Sequence, residues 1–119
     1  MAHIVVLDDV LDAGVLIKRI LERKGHKVAV FSEEEDMLSY VEANKVDLAI
    51  LDIKLKKMTG VEVLEEMKKC SPNTRAIMLT GYPTLQTAKE SLELGADEYC
   101  VKPIDKDELE AKVAEVLAA

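Results

Sequence analysis

The stretch Val46-Asp47-Leu48-Ala49-Ile50-Leu51-Asp52 constrains this chain more than any other. Four apolar residues run without alternation and stop at a carboxylate. A run that short and unbroken reads as a central strand buried on both faces, as in a parallel sheet covered by helices. Asp52 then stands at the strand's carboxyl end, where open α/β sheets keep their ligand crevice.

The remaining chain repeats the pattern. Ile4-Val5-Val6-Leu7 runs into Asp8-Asp9, and Val28-Ala29-Val30-Phe31 is a second short strand. Ala76-Ile77-Met78-Leu79 ends at Thr80, and Glu98-Tyr99-Cys100-Val101 ends at Lys102-Pro103. Helical stripes lie between these runs. Leu11, Val15, Leu16, Ile17, Ile20 and Leu21 mark the first, which Gly25 stops. Ser32, with Glu35 three residues on, reads as a capping box for the second, and the acidic run Glu33 to Asp36 as its solvated start. Thr59 and Glu62 form the same box for the third, which closes at Ser71-Pro72-Asn73. Leu85, Ala88 and Leu92 make one apolar stripe on the fourth, and Asp105 to Glu108 cap a fifth carrying Leu109, Val113, Val116 and Leu117. Five strands alternating with five helices predict an α/β fold: one domain over residues 1–119, a parallel sheet with helices on both faces and right-handed crossovers.

Composition narrows the function. The net charge of −7 argues against unaided nucleic-acid binding, which needs a basic footprint, and against docking on an anionic membrane. No apolar run approaches a membrane span, and no basic segment precedes the first strand as a signal peptide requires. Cys70 and Cys100 have neither metal-ligand nor redox spacing, so they read as free thiols in a reducing cytoplasm.

Parallel strands gather their carboxyl ends on one edge. Asp8, Asp9, Asp52, Thr80 and Lys102 therefore converge there. Three carboxylates so placed repel one another, and a hard divalent cation such as Mg²⁺ relieves the repulsion. With that charge neutralised, Asp52 becomes a candidate nucleophile forming an aspartyl phosphate. Lys102 supplies positive charge for phosphoryl oxygens, and Thr80 a hydrogen bond. Taken singly, each residue has an ordinary explanation as a cap, a turn or a strand end. Their convergence on one edge favours the chemical one.

This ordered set resembles the receiver domain of two-component response regulators over essentially the whole chain. The matching pieces are Asp8-Asp9, Asp52 after an apolar strand, Thr80 followed by Gly81, Lys102-Pro103, and Tyr99 at the family's aromatic switch position. The resemblance implies a flavodoxin-like (βα)5 doubly wound sheet of order 2-1-3-4-5. It implies Mg²⁺ held by Asp9, Asp52 and the backbone carbonyl of Lys54, with Asp8 acting mainly through water. It also implies phosphoryl transfer to Asp52 from a histidine kinase or histidine phosphotransfer protein. The expected response is a change in the fourth-helix, fifth-strand and fifth-helix surface, through Thr80 and Tyr99, with homodimerisation there as one output. Leu79-Thr80-Gly81-Tyr82-Pro83 is most similar to receivers attached to sigma-54-dependent activators. Lys56 replaces a frequent proline and Val10 a frequent polar residue, which bears on loop rigidity and partner choice. By resemblance the partner face of the first helix would include Val10, Leu11, Gly14 and Ile17; Leu11 and Ile17 can also be plain core, which is the preferred reading for Ile17.

Three rivals remain. An aspartyl-nucleophile phosphatase is expected to carry a second acid two residues after the nucleophile, where this chain has Lys54. A nucleotide or flavin binder needs a phosphate-cradling loop where Asp8-Asp9 would repel phosphate. A receiver-like interaction module that is not phosphorylated is the remaining alternative.

Overall fold

Unbroken apolar runs become strands here because both faces of each are buried. The computed structural model describes residues 1–53, 55 and 58–119. In chain order the elements are β1 His3–Leu7, α1 Leu11–Glu22, β2 Lys27–Phe31, α2 Glu34–Ala43, β3 Leu48–Asp52, α3 Gly60–Cys70, β4 Arg75–Thr80, α4 Leu85–Glu93, β5 Glu98–Val101 and α5 Lys106–Ala118. The strands form one sheet in the order β2-β1-β3-β4-β5, every neighbouring pair parallel. The central β3 is buried at every position, whereas the edge strands β2 and β5 are partly exposed. No helix among the described residues is long and apolar enough to cross a membrane.

Alternation along the strands divides the core in two. Val5, Leu7, Ala49, Leu51, Ala76 and Met78 pack with Met37 and Val41 of α2 and Val63, Leu64 and Met67 of α3. Ile4, Val6, Leu48, Ile50, Ile77, Leu79 and Cys100 pack on the other face with Ile17 and Leu21 of α1 and Leu109, Val113 and Val116 of α5. Each large aliphatic side chain so buried contributes about 1.5–3 kcal/mol. The two faces together fix the register, because a slip of one residue would exchange them.

Helix boundaries follow local chemistry where that chemistry is satisfied. Thr59 and Glu62 form the expected reciprocal capping box of α3, and Asp105 accepts from the Glu108 N–H at the start of α5. Gly95, at φ +98°, turns the chain out of α4, with the Ala96 N–H donating to the Ser91 carbonyl at 2.9 Å and the Gly95 N–H to Leu92 at 3.1 Å. That is the paired bonding of a Schellman stop, which needs a left-handed residue.

Three expectations fail. The Ser32 capping box does not form: Glu33 is the N-cap of α2 and makes no side-chain cap bond. Instead Glu34, Met37 and Val41 share the helix's buried face, so the first turn is set by packing. The apolar stripe of α4 faces outward, with Leu85 and Leu92 exposed and Ser91 the buried residue. The Ser91 hydroxyl donates to the Thr87 carbonyl of its own helix at 2.7 Å, which makes a polar residue tolerable inside. On α1, Leu11 and Leu16 are exposed while Gly14, Ile17 and Leu21 are buried. Gly14, placed on the partner face by the resemblance, is thus buried; Ile17 is core, and Val10 and Leu11 stay on the surface, as expected.

Candidate functional site

Strand parity decides which side chains meet at the carboxyl edge. Asp52 is in register with Leu79, and Leu79 with Cys100; these two neighbours belong to the α1/α5 core. Asp8 continues the parity of Ile4 and Val6, and Lys102 that of Cys100. Asp8, Asp52 and Lys102 therefore lean to one face, and the ammonium closes the group. Lys102 Nζ lies 2.9 Å from Asp8 Oδ2 and 3.5 Å from Asp52 Oδ2. Asp8 and Asp52 are buried, at 2% and 7% exposure, so this pairing is screened little by water. Burial of the lysine opposes its charge, but the hydrogen bond and charge of Asp8, joined by Asp52, outweigh that and hold its pKa above the ordinary lysine value.

The other oxygen of Asp8 accepts the Val10 N–H at 2.9 Å. This short-range bond turns the chain between β1 and α1 and leaves Asp9 beside the crevice. Asp9, Val10, Asp52, Leu55, Gly81, Tyr82 and Lys102 line that crevice. Asp8, Asp9 and Asp52 each offer a carboxylate oxygen within 4.8 Å of the others, the one such metal-capable group among the described residues. The Lys102 ammonium, paired with this cluster, offsets one of three negative charges. A small oxygen-seeking divalent cation that keeps several waters fits such a donor set. Lys54, whose carbonyl the resemblance adds, lies outside the described residues.

Thr80 has the opposite parity. It is fully buried at the end of β4, in register with Val101, two positions along the strand from the Met78–Tyr99 pair. Its Oγ1 accepts the Tyr82 N–H at 3.0 Å, and its carbonyl accepts the Lys102 N–H at 2.7 Å. Thr80 thus sits at the end of the strand beside Asp52 but does not line the crevice. Tyr99, on the same face as Thr80, is half-buried against the α2/α3 core. Its hydroxyl lies 2.9 Å from Thr87 Oγ1 on α4. Sequence reasoning did not find Thr87, because nothing local marks it.

A broader hollow opens at the opposite, amino edge beside His26, Asp47 and Arg75. Their polar groups serve the fold: Arg75 donates to the Val116 carbonyl, Asp47 accepts the His3 N–H and His26 Nδ1 accepts the Ala2 N–H. His3 itself bonds Tyr40 and the Lys45 carbonyl. Both histidines lie away from the aspartate cluster, as expected.

Comparison with known proteins agrees with this geometry. The family model for the response regulator receiver domain matches residues 4–114. The chain is 33% identical over 115 residues to the transcriptional regulatory protein ZraR of Klebsiella oxytoca, covering 97% of this chain but 26% of that protein. It therefore spans about a quarter of that relative's length. It is 32% identical over 114 residues to the sporulation initiation phosphotransferase F of Bacillus subtilis, covering 96% and 92% of the two chains. A solved CheY-like receiver domain from Methanospirillum hungatei superposes with a TM-score of 0.96 at 36% identity, covering 99% of this chain and 94% of that one. With the acidic cluster at the carboxyl edge of a 2-1-3-4-5 parallel sheet, these matches show that the chain belongs to the receiver domains of response regulators, a family of signalling modules.

Proposed function

We propose that this domain accepts a phosphoryl group on Asp52 from a histidine kinase or histidine phosphotransfer protein and changes its surface in response. One observation carries the reading. A buried carboxylate ends the central strand 3.5 Å from an ammonium and within one cluster of three carboxylates. In this reading Asp9, Asp52 and the carbonyl of Lys54 hold Mg²⁺, with Asp8 acting through water. When bound, the ion neutralises the cluster and polarises phosphoryl oxygens.

In the proposed step a carboxylate oxygen of Asp52 forms a bond to phosphorus as the phosphorus–nitrogen bond to the donor imidazole breaks. The imidazole leaves with that electron pair. Lys102 pairs with a phosphoryl oxygen in place of Asp52 Oδ2. The Thr80 hydroxyl, which accepts from Tyr82, keeps a proton to donate to another. Its movement toward the phosphoryl group opens space on the face it shares with Tyr99. Tyr99 fills that space and carries the change to α4, β5 and α5. Tyr82, Leu85, Leu92 and Val101 are exposed around this surface and supply the apolar contact for a downstream protein or a second copy. This domain makes no direct nucleic-acid contact in the reading and works in the cytoplasm.

Acetyl phosphate with MgCl₂ tests it. One hydroxylamine-labile phosphoryl group is expected, mapping to Asp52 and absent from Asp52→Asn. A folded, Mg²⁺-bound protein that takes no label would overturn the reading in favour of an inert interaction module. Rapid multiple turnover of the donor would indicate a hydrolase.

A further inference from the structure

Glu34 is a buried carboxylate that the phosphoryl chemistry does not use. Three successive glutamates, Glu33 to Glu35, open the second helix in the sequence, and a solvated start is the ordinary reading of such a run. The structure separates them. Glu35 is exposed, whereas Glu34 is 3% exposed at the first position of α2. Its Oε2 accepts the Met58 N–H at 2.9 Å, across 24 residues of chain.

The bonded amide lies in the connection that follows Asp52. Met58 is joined through Thr59, the N-cap of α3, to Gly60. The Gly60 N–H donates to the Ile53 carbonyl at 2.7 Å, and Gly60 packs directly on the Asp52 carbonyl. The path from Glu34 to the Asp52 backbone thus holds one charge-assisted hydrogen bond, two covalent steps and one short backbone bond. A carboxylate at a helix N-terminus is favoured by the helix dipole, and a bond from a charged acceptor is stronger than a neutral one. Both features suit a rigid anchor on α2 for the segment that leaves the sheet at Asp52.

We propose that Glu34 is a positioning residue for the Asp52 site: by holding the Met58 amide it fixes the start of α3 against the Asp52 backbone, and so the position of the Asp52 carboxylate offered to Mg²⁺. This rests on the functional reading above. The role needs an acceptor oxygen at this place, which the charge strengthens, so glutamine fulfils it in large part and alanine does not.

The test compares wild type, Glu34→Gln, Glu34→Ala and a destabilised control, Val116→Ala, which truncates a buried α5 residue of the opposite core face. Mg²⁺ affinity is measured by titration calorimetry with MgCl₂, well below each melting midpoint. Glu34→Ala should bind about fivefold more weakly or worse, the scale of one lost hydrogen bond. Glu34→Gln and Val116→Ala should stay within about twofold of wild type. Unchanged affinity in Glu34→Ala overturns the proposal, as does equal weakening in Gln and Ala, which would assign the effect to charge. Weakening in Val116→Ala as well would reduce it to general destabilisation. If wild type itself binds no Mg²⁺, the functional reading fails, and metal-free amide exchange at Gly60 then judges the anchor. Faster exchange in Ala than in Gln upholds it, and equal exchange ends it.

Discussion

Replacing Gly60 with alanine is the most severe small change the structure identifies near the site. A Cβ built there falls 2.2 Å from the Asp52 carbonyl oxygen, 2.7 Å from Ile53 Cα and 2.9 Å from the Asp52 carbonyl carbon. Normal carbon contacts lie at about 3.5–4.0 Å, and all three neighbours are backbone, which cannot rotate aside. Overpacking of this kind costs about 1–3 kcal/mol. Alanine's better helix propensity returns less than ~1 kcal/mol, and little of it at the first helical position. A net loss of about 2 kcal/mol lowers the melting midpoint of a domain this size by roughly 8 °C. The displacement falls on the peptide that carries the proposed nucleophile, so labelling by acetyl phosphate should fall about tenfold or more, beyond what the unfolded fraction explains. Calorimetry and initial labelling rates, taken well below the midpoint, check both effects. Gly81→Ala is the internal control, since its Cβ would meet nothing nearer than Lys102 Cβ at 4.0 Å, and its midpoint should hardly move. A Gly60→Ala protein with wild-type midpoint and labelling rate would refute the reasoning.

Two further outcomes follow from the charges. Lys102→Met removes the ammonium paired with buried Asp8 and Asp52; stability without metal should fall by about 2–4 kcal/mol and recover in part as MgCl₂ is added, and a metal-free melting point equal to wild type would discount the pairing. His26 has its pKa lowered below 6.5 by burial and then by the N-terminal ammonium. A depressed folded pKa contributes stability that is present above the unfolded value and lost as pH falls through the folded one. The melting midpoint should therefore decline as pH drops below about 6.5, less steeply in His26→Gln, and parallel profiles for the two proteins would assign the acid sensitivity elsewhere.

Much of this domain was legible from local chemistry. Leu48 to Leu51 read as a doubly buried strand because no polar residue interrupts the run, and parallel pairing alone sends Asp8, Asp52 and Lys102 to one edge. The Thr59–Glu62 box was equally plain, since both partners lie within one turn. The Ser32 box misled because a capping motif competes with whatever packing the next turn can find. Here Glu34 found the Met58 amide far along the chain.

What one-dimensional pattern determined was the set of elements, the face each strand residue shares with its neighbours, and the edge where the chemical groups collect. What only the tertiary structure decided was which face of a helix turns inward and which distant group meets a buried polar atom. The pattern of α4 sets Leu85, Ala88 and Leu92 on one apolar stripe, yet Leu85 and Leu92 face outward and Ser91 is inside, with Thr87 reaching Tyr99. Periodicity records that residues share a side. It cannot record which side the rest of the molecule covers, because that depends on shape and hydrogen-bond partners supplied by other elements.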